Sequence, residues 1–159
     1  MKIKIDRKTP LLKQLLVTDQ EEPKLGIWKV KGLDSRSVKL EEIEINNIFF
    51  SEYLDLDGNI RNWERVEYFK KHSRKFIRLD AAIGLALVKN GYQIPENWGK
   101  NERGNPVSTF TFDGTAIIDD HGNTHYLTVS RDVESGEWHW GLQHKNDESG
   151  HPSAVLKLS

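Results

Sequence analysis

The chain contains no cysteine, which removes disulfide staples and thiol chemistry from any account of it. No stretch approaches the roughly 18 consecutive apolar residues that a membrane-spanning helix requires. Met1-Lys2-Ile3-Lys4-Ile5-Asp6 lacks the apolar core of a secretion signal, and Lys13-Gln14 interrupts Leu11-Leu12 and Leu15-Leu16. There is no glycine-rich phosphate loop before a helix and no Gly-x-Ser-x-Gly elbow, so the familiar motifs of phosphoryl and acyl transfer are missing. Repeats, heptads and low-complexity tracts are also missing. Net charge is scarce too: 23 Lys and Arg face 24 Asp and Glu, leaving −1 at a pI near 6.6, short of the strong basic balance of a nucleic-acid domain. These absences lead us to expect a cytoplasmic protein with no cofactor and no membrane contact.

What is present suffices to fold. The chain has 159 residues, enough to bury roughly 68–70% of the surface its unfolded form exposes. Mean hydropathy is −0.64, but five Trp, four Tyr and six Phe supply large apolar bodies for a core. Charge-driven disorder needs few hydrophobes together with a large net charge, and the second condition fails.

Ile3 and Ile5 alternate with lysines, as in a half-buried strand, and Thr9-Pro10 opens a short helix carrying the four leucines. Strand patterns follow around Trp28 and Val30, around Val38 and Leu40, and at Ile43 and Ile45, with a break at Glu41-Glu42. Asp57-Gly58 carries tight-turn chemistry, and Asn62 is placed to cap a helix with Trp63, Val66 and Phe69 or Lys70 inward. The clearest helix has Asp80 as N-cap, Ala81 to Asn90 as its body and Gly91 as its C′ residue. Beyond the extended Ile94 to Trp98 and a polar loop, strands are expected at 109–112, 115–118, 124–130, 137–142 and 154–158, with Asp113-Gly114 as the first turn. The expected class is α+β: a single domain over 1–159 with a mixed N-terminal half, a central helix and a C-terminal antiparallel β-meander, divisible into subregions 1–78 and 79–159.

Four groups of residues could carry chemistry. Lys70, Lys71, Arg74, Lys75 and Arg78 place five fixed cations in nine residues, with Arg61 and Arg65 upstream and Trp63, Tyr68 and Phe69 among them. Cations with interleaved aromatics suit phosphates and bases, so this segment is the candidate nucleic-acid surface; it also reads as a helix end whose dipole favours cations. Asp119, Asp120, His121 and His125 gather two carboxylates and two imidazoles, the donor types of a divalent metal site in a hydrolase or nuclease. The same residues are turn formers, and no helix follows to bring further ligands. Trp138 and Trp140 flank His139 and share one sheet face. If exposed, with Trp98 or Tyr126 nearby, they form an aromatic platform for a partner; if buried, they are a core layer against the 80–90 helix, and Leu142 on the same face favours the core. Asp55 to Asn59 resembles part of a calcium loop, but its glycine comes too early and no Glu closes it. No residue is expected to be catalytic. The expected function is a non-catalytic protein-interaction or regulatory module of a bacterial or phage-like cytosol, with another protein as partner; the alternatives are nucleic-acid binding through 61–78 and metal-dependent hydrolysis at 119–125.

Overall fold

The computed structural model describes residues 1–16, 29–51, 60–91, 109–132, 134–148 and 151–158. Trp28, Asp57-Gly58, the 94–98 segment and the polar loop after it lie outside these residues. The elements in chain order are β1 (Lys2–Lys4), α1 (Leu11–Leu16), β2 (Lys29–Gly32), β3 (Glu42–Glu44), β4 (Ile48–Ser51), α2 (Asn62–Lys71), β5 (Phe76–Arg78), α3 (Ala81–Asn90), β6 (Thr109–Ile118), β7 (Thr124–Arg131), β8 (Trp138–His144) and β9 (Ser153–Lys157). The coarse α+β expectation therefore holds: helices combine with a seven-stranded sheet, and β1 and β3 form a separate pair.

The large sheet takes strands from both halves of the chain. β6, β7 and β8 form an antiparallel meander, as alternation predicted. The last strand expected in that meander, 154–158, goes elsewhere. β9 pairs antiparallel with both β4 and β5 and meets β6 in parallel at Thr111 and Ser153. β6 is also one strand rather than two. Asp113-Gly114 lies inside it, and between the Phe112–Leu127 and Ile117–His125 pairs β6 advances five residues while β7 advances two. This extended bulge re-aims the side chains, so that Phe110, Phe112 and Ile117 all reach the same core.

Side-chain alternation gives the sheet two unlike faces. Phe110, Phe112, Leu127, Val129, Trp138 and Trp140 pack in one cluster with Ile83 and Leu87 of α3 and with Ile3, Ile43 and Leu15. The opposite face meets α2 through Val66, Ala116 and Tyr126. α3 forms for the local reasons read in the sequence: Asp80 accepts from the Ala82 N–H at 3.0 Å, and Gly91 closes the helix at φ 58. Truncating one of the enclosed aromatics to alanine costs about 3–5 kcal/mol in such a core. Three local expectations are corrected. Residues 37–39 form a 3-10 turn rather than a strand, because Asp34 and Ser37 turn their polar groups inward there. Trp63 is 41% exposed, while Asn62, Arg65, Val66 and Phe69 form the inner stripe of α2; Glu64 reaches back to the Arg61 N–H, so Asn62 is the first helical residue rather than the cap.

α3 is held at its start by a convergence on Asp80, which is 2% exposed. Arg7 forks onto both Asp80 oxygens at 2.9 Å each, and the Ser37 hydroxyl donates at 2.5 Å. The same Arg7 also donates to the carbonyls of Ser37 and Leu40, both at 2.8 Å. Next to this knot the chain at Arg78–Asp80 crosses β6 over Gly114. A Cβ on Gly114 would meet the Arg78 carbonyl oxygen, Leu79 C at 2.7 Å and Asp80 N at 2.8 Å, all backbone atoms.

Two outcomes are expected in denaturant titrations. Asp80→Ala should cost about 3–5 kcal/mol, since it strips a cap and leaves a largely buried guanidinium without its charge partner. In a glycine-to-alanine series, Gly114→Ala should destabilise most, by about 3 kcal/mol. Gly84→Ala, opposed by movable side-chain atoms of Leu127 and Phe112 at 2.9 Å, should cost less, and Gly32→Ala, with nothing within 4 Å, should stay within about 0.5 kcal/mol. A Gly114→Ala protein as stable as the parent would refute the crossing.

Candidate functional site

The basic segment divides into an inner and an outer set. α2 turns Arg65 inward to 1% exposure, and pairing of β5 with β9 leaves Arg78 at 5%. Neither arginine can meet a phosphate, which corrects their place in the candidate nucleic-acid surface. Arg61, Lys70, Lys71, Arg74 and Lys75 stay exposed. The fold adds two cations that sequence spacing could not supply. Arg36 donates to the carbonyls of Ser73 at 2.6 Å and Phe76 at 2.8 Å, and Lys157 lies opposite Phe76 with its Nζ 4.5 Å from the centre of the Phe49 ring. The Leu158 N–H donates to the Lys75 carbonyl at 2.8 Å, which brings that exposed leucine to the same turn. Phe49 and Leu158 are 39% and 40% exposed. Lys70 is engaged by Glu67 at 3.1 Å and Arg36 by Asp34 at 2.8 Å; among the described residues Lys71, Arg74 and Lys75 have no ion pair.

The inner set builds an ionic cluster between α2 and the sheet. Arg65 donates from Nε to the Ser153 hydroxyl at 2.7 Å and from Nη2 to Asn62 Oδ1 at 3.0 Å. Ser153 in turn donates to Asp113 Oδ2 in a short bond, and that oxygen is 3.9 Å from Arg65 Nε. Burial pushes the Asp113 carboxyl above its ordinary value, against the pull of Arg65 and the Ser153 hydrogen bond. Tyr126, buried on the same face, is pushed up to about 12, first by burial and then by the Asp113 charge. Desolvation, then the charge of Arg65, lowers His151. Ser153 and Asp113 have no exposed surface, so the pair cannot meet a substrate and serves the interior. Within this region Asp113 Oδ1, Thr111 Oγ1 and Arg78 Nη1 are enclosed without hydrogen-bond partners. Each such atom costs about 1–3 kcal/mol if left unsatisfied.

The aromatic set is packing. Tyr126, Trp138 and Trp140 are 4%, 7% and 6% exposed, so these three present no platform, and Trp98 lies outside the described residues. The exposed indole among the described residues is Trp63, which the helical pattern had turned inward. The Asp-His turn is only partly drawn together. Asp119 accepts from the N–H groups of His121 and Asn123, both at 2.9 Å, and lies 2.9 Å from His125 Nε2. His121 and Asp120 remain 82% and 53% exposed on their side chains. Among the described residues no three His, Cys, Asp or Glu side chains converge as metal ligands, and no helix is long and apolar enough to cross a membrane.

A groove of about 630 Å3 also runs between the β1–α1 link and α3, floored by Ala82, Leu85 and Ala86. Its rim alternates Lys4, Asp6 and Lys89, so no single ligand charge is selected. Searches of protein-family models, curated proteins and solved structures returned no significant match, so the functional reading rests on this chain's own geometry.

The Asp119 carboxyl is held down to about 2, chiefly by its hydrogen bond with His125 and also by the Asn123 and His121 N–H groups. Its folded value lies below the unfolded one, so the stability it contributes is present above the ordinary carboxylate range and lost as pH falls through about 2. Carboxyl NMR titration should place Asp119 near 2 and move it upward in His125→Ala; an unmoved Asp119 would contradict the pairing.

Proposed function

We propose that this chain is a non-catalytic interaction module that docks on an acidic, partly apolar protein surface through the turn joining α2 to β5. The observation that carries this reading is the company around that turn: Lys71, Arg74 and Lys75 stand beside Lys157, Arg36 and the exposed Phe49 and Leu158. Cations steer encounter with an acidic partner, while desolvated apolar side chains supply the affinity that exposed ion pairs lack. Trp63 extends the surface, because positions 63, 67 and 70 share the outer face of α2.

Three of these cations also support a second reading, nucleic-acid binding through Arg61, Lys70, Lys71, Arg74 and Lys75, all exposed. The protein reading is favoured by what lies between the charges. Leu158 has no ring to stack on a base, and the Phe49 ring already lies against the Lys157 ammonium.

Fluorescence anisotropy separates the two. The probes are an acidic, leucine-containing peptide of about 20 residues and single- and double-stranded DNA and RNA of matched length. The peptide should bind, lose at least about tenfold in affinity in Lys71→Glu/Arg74→Glu/Lys75→Glu, and lose affinity in Phe49→Ala with an unchanged salt slope. Nucleic acid bound more tightly than the peptide, with a steep salt slope abolished by the charge reversals, would establish the second reading instead.

A further inference from the structure

The ionic cluster under α2 carries an inference that is independent of the docking reading. Three polar atoms there, Asp113 Oδ1, Thr111 Oγ1 and Arg78 Nη1, are enclosed and unpartnered, on residues 0%, 0% and 5% exposed. They belong to one neighbourhood. Thr111 and Asp113 are two apart on β6; Thr111 is registered with Ser153, and Arg78 with Val155, two residues further along β9. Ser153 bonds to Asp113, and the Arg78 guanidinium donates through its other nitrogen to Leu33 O at 2.5 Å, whose own N–H donates to Gly114 O at 2.9 Å. The sheet forks at this place. β6 and β9 share one registered pair, and beyond it the Arg78–Leu79 backbone enters between them, with the Leu79 N–H bonded to Ala154 O and the Gly114 N–H to Leu79 O.

We infer that this fork is a built-in binding site for an internal water molecule, which accepts from Arg78 Nη1 and donates to Asp113 Oδ1 and Thr111 Oγ1. The chemistry selects water on two grounds. The three groups present a fixed donor, a carboxyl oxygen and a hydroxyl, matching the roughly three partners that a buried water takes. An anion would face the Asp113 carboxyl, and a cation would face two guanidiniums, since Arg65 Nε lies 3.9 Å from Asp113 Oδ2. Burial of the carboxyl raises its proton affinity, which leaves the water's role intact, because water can accept from a protonated Oδ1 as readily as it donates to an ionised one. The water ties β5 to β6 where direct backbone pairing gives out.

Magnetic relaxation dispersion of water 17O and 2H in solutions of the full chain counts long-lived internal waters, and water-to-amide NOEs locate them. The wild-type protein should hold a long-lived water with NOEs to the Thr111 and Asp113 amides. Thr111→Val should lower the count by about one with native CD and amide spectra. If that variant does not fold, Thr111→Ser, which keeps the hydroxyl, should fold and keep the water. A wild-type protein without a long-lived water, a count unchanged in folded Thr111→Val, or chloride binding seen as 35Cl line broadening that disappears in that variant would each overturn the assignment. None of these results depends on whether the outer turn binds a partner.

Discussion

The carboxylate of Asp80 is the constraint on which the rest of the architecture depends. It is enclosed, so its charge is tolerable only because Arg7 forks onto it and Ser37 and the Ala82 N–H donate to it. Those partners come from the β1–α1 link, the 3-10 turn and the first turn of α3, and one side chain therefore fixes three segments at one point. Because the capped end of α3 cannot slide, Ile83 and Leu87 are delivered against Phe110, Phe112 and Leu127 in a single register. The close approach of the Arg78–Asp80 backbone to Gly114 sets the remaining coordinate, the height of the helix above the sheet.

The two faces of the sheet solve opposite problems. The α3 face excludes water with aromatic and aliphatic side chains. The α2 face encloses two arginines and an aspartate, and hydrogen-bonds them to Ser153, Asn62 and the Leu33 carbonyl. One stretch of sequence, 61–78, divides between the interior and the exterior: Arg65 and Arg78 become structural cations, while the lysines and the arginine between them stay exposed.

Features decided within a few residues were legible in the sequence. The Asp80 cap, the Gly91 terminus, the Asp119–Asn123 turn and the alternation of Trp138 and Trp140 each depend on local geometry, and each is found where the pattern placed it. Features decided by distant chain segments were not. Asp-Gly has the same chemistry in a hairpin as beneath a crossing strand, so nothing local distinguished Gly114 from a turn residue. A guanidinium reads as surface unless its buried partners are known, and those of Arg65 include Ser153, 88 positions later. The basic turn was visible in outline, but Arg36, Lys157, Phe49 and Leu158 join it only through tertiary pairing.

The position of β9 between β4 and β5 has a consequence for biosynthesis. A chain emerging from the ribosome presents β4 and β5 long before the strand that bridges them, and Arg65 likewise emerges before its Ser153 acceptor. Until Lys157 is clear of the exit tunnel, two sheet edges and a guanidinium await their partners, a state that invites chaperone attention and intermolecular strand pairing. Closure of the sheet thus waits on contacts remote in sequence, the kind of pairing that slows folding.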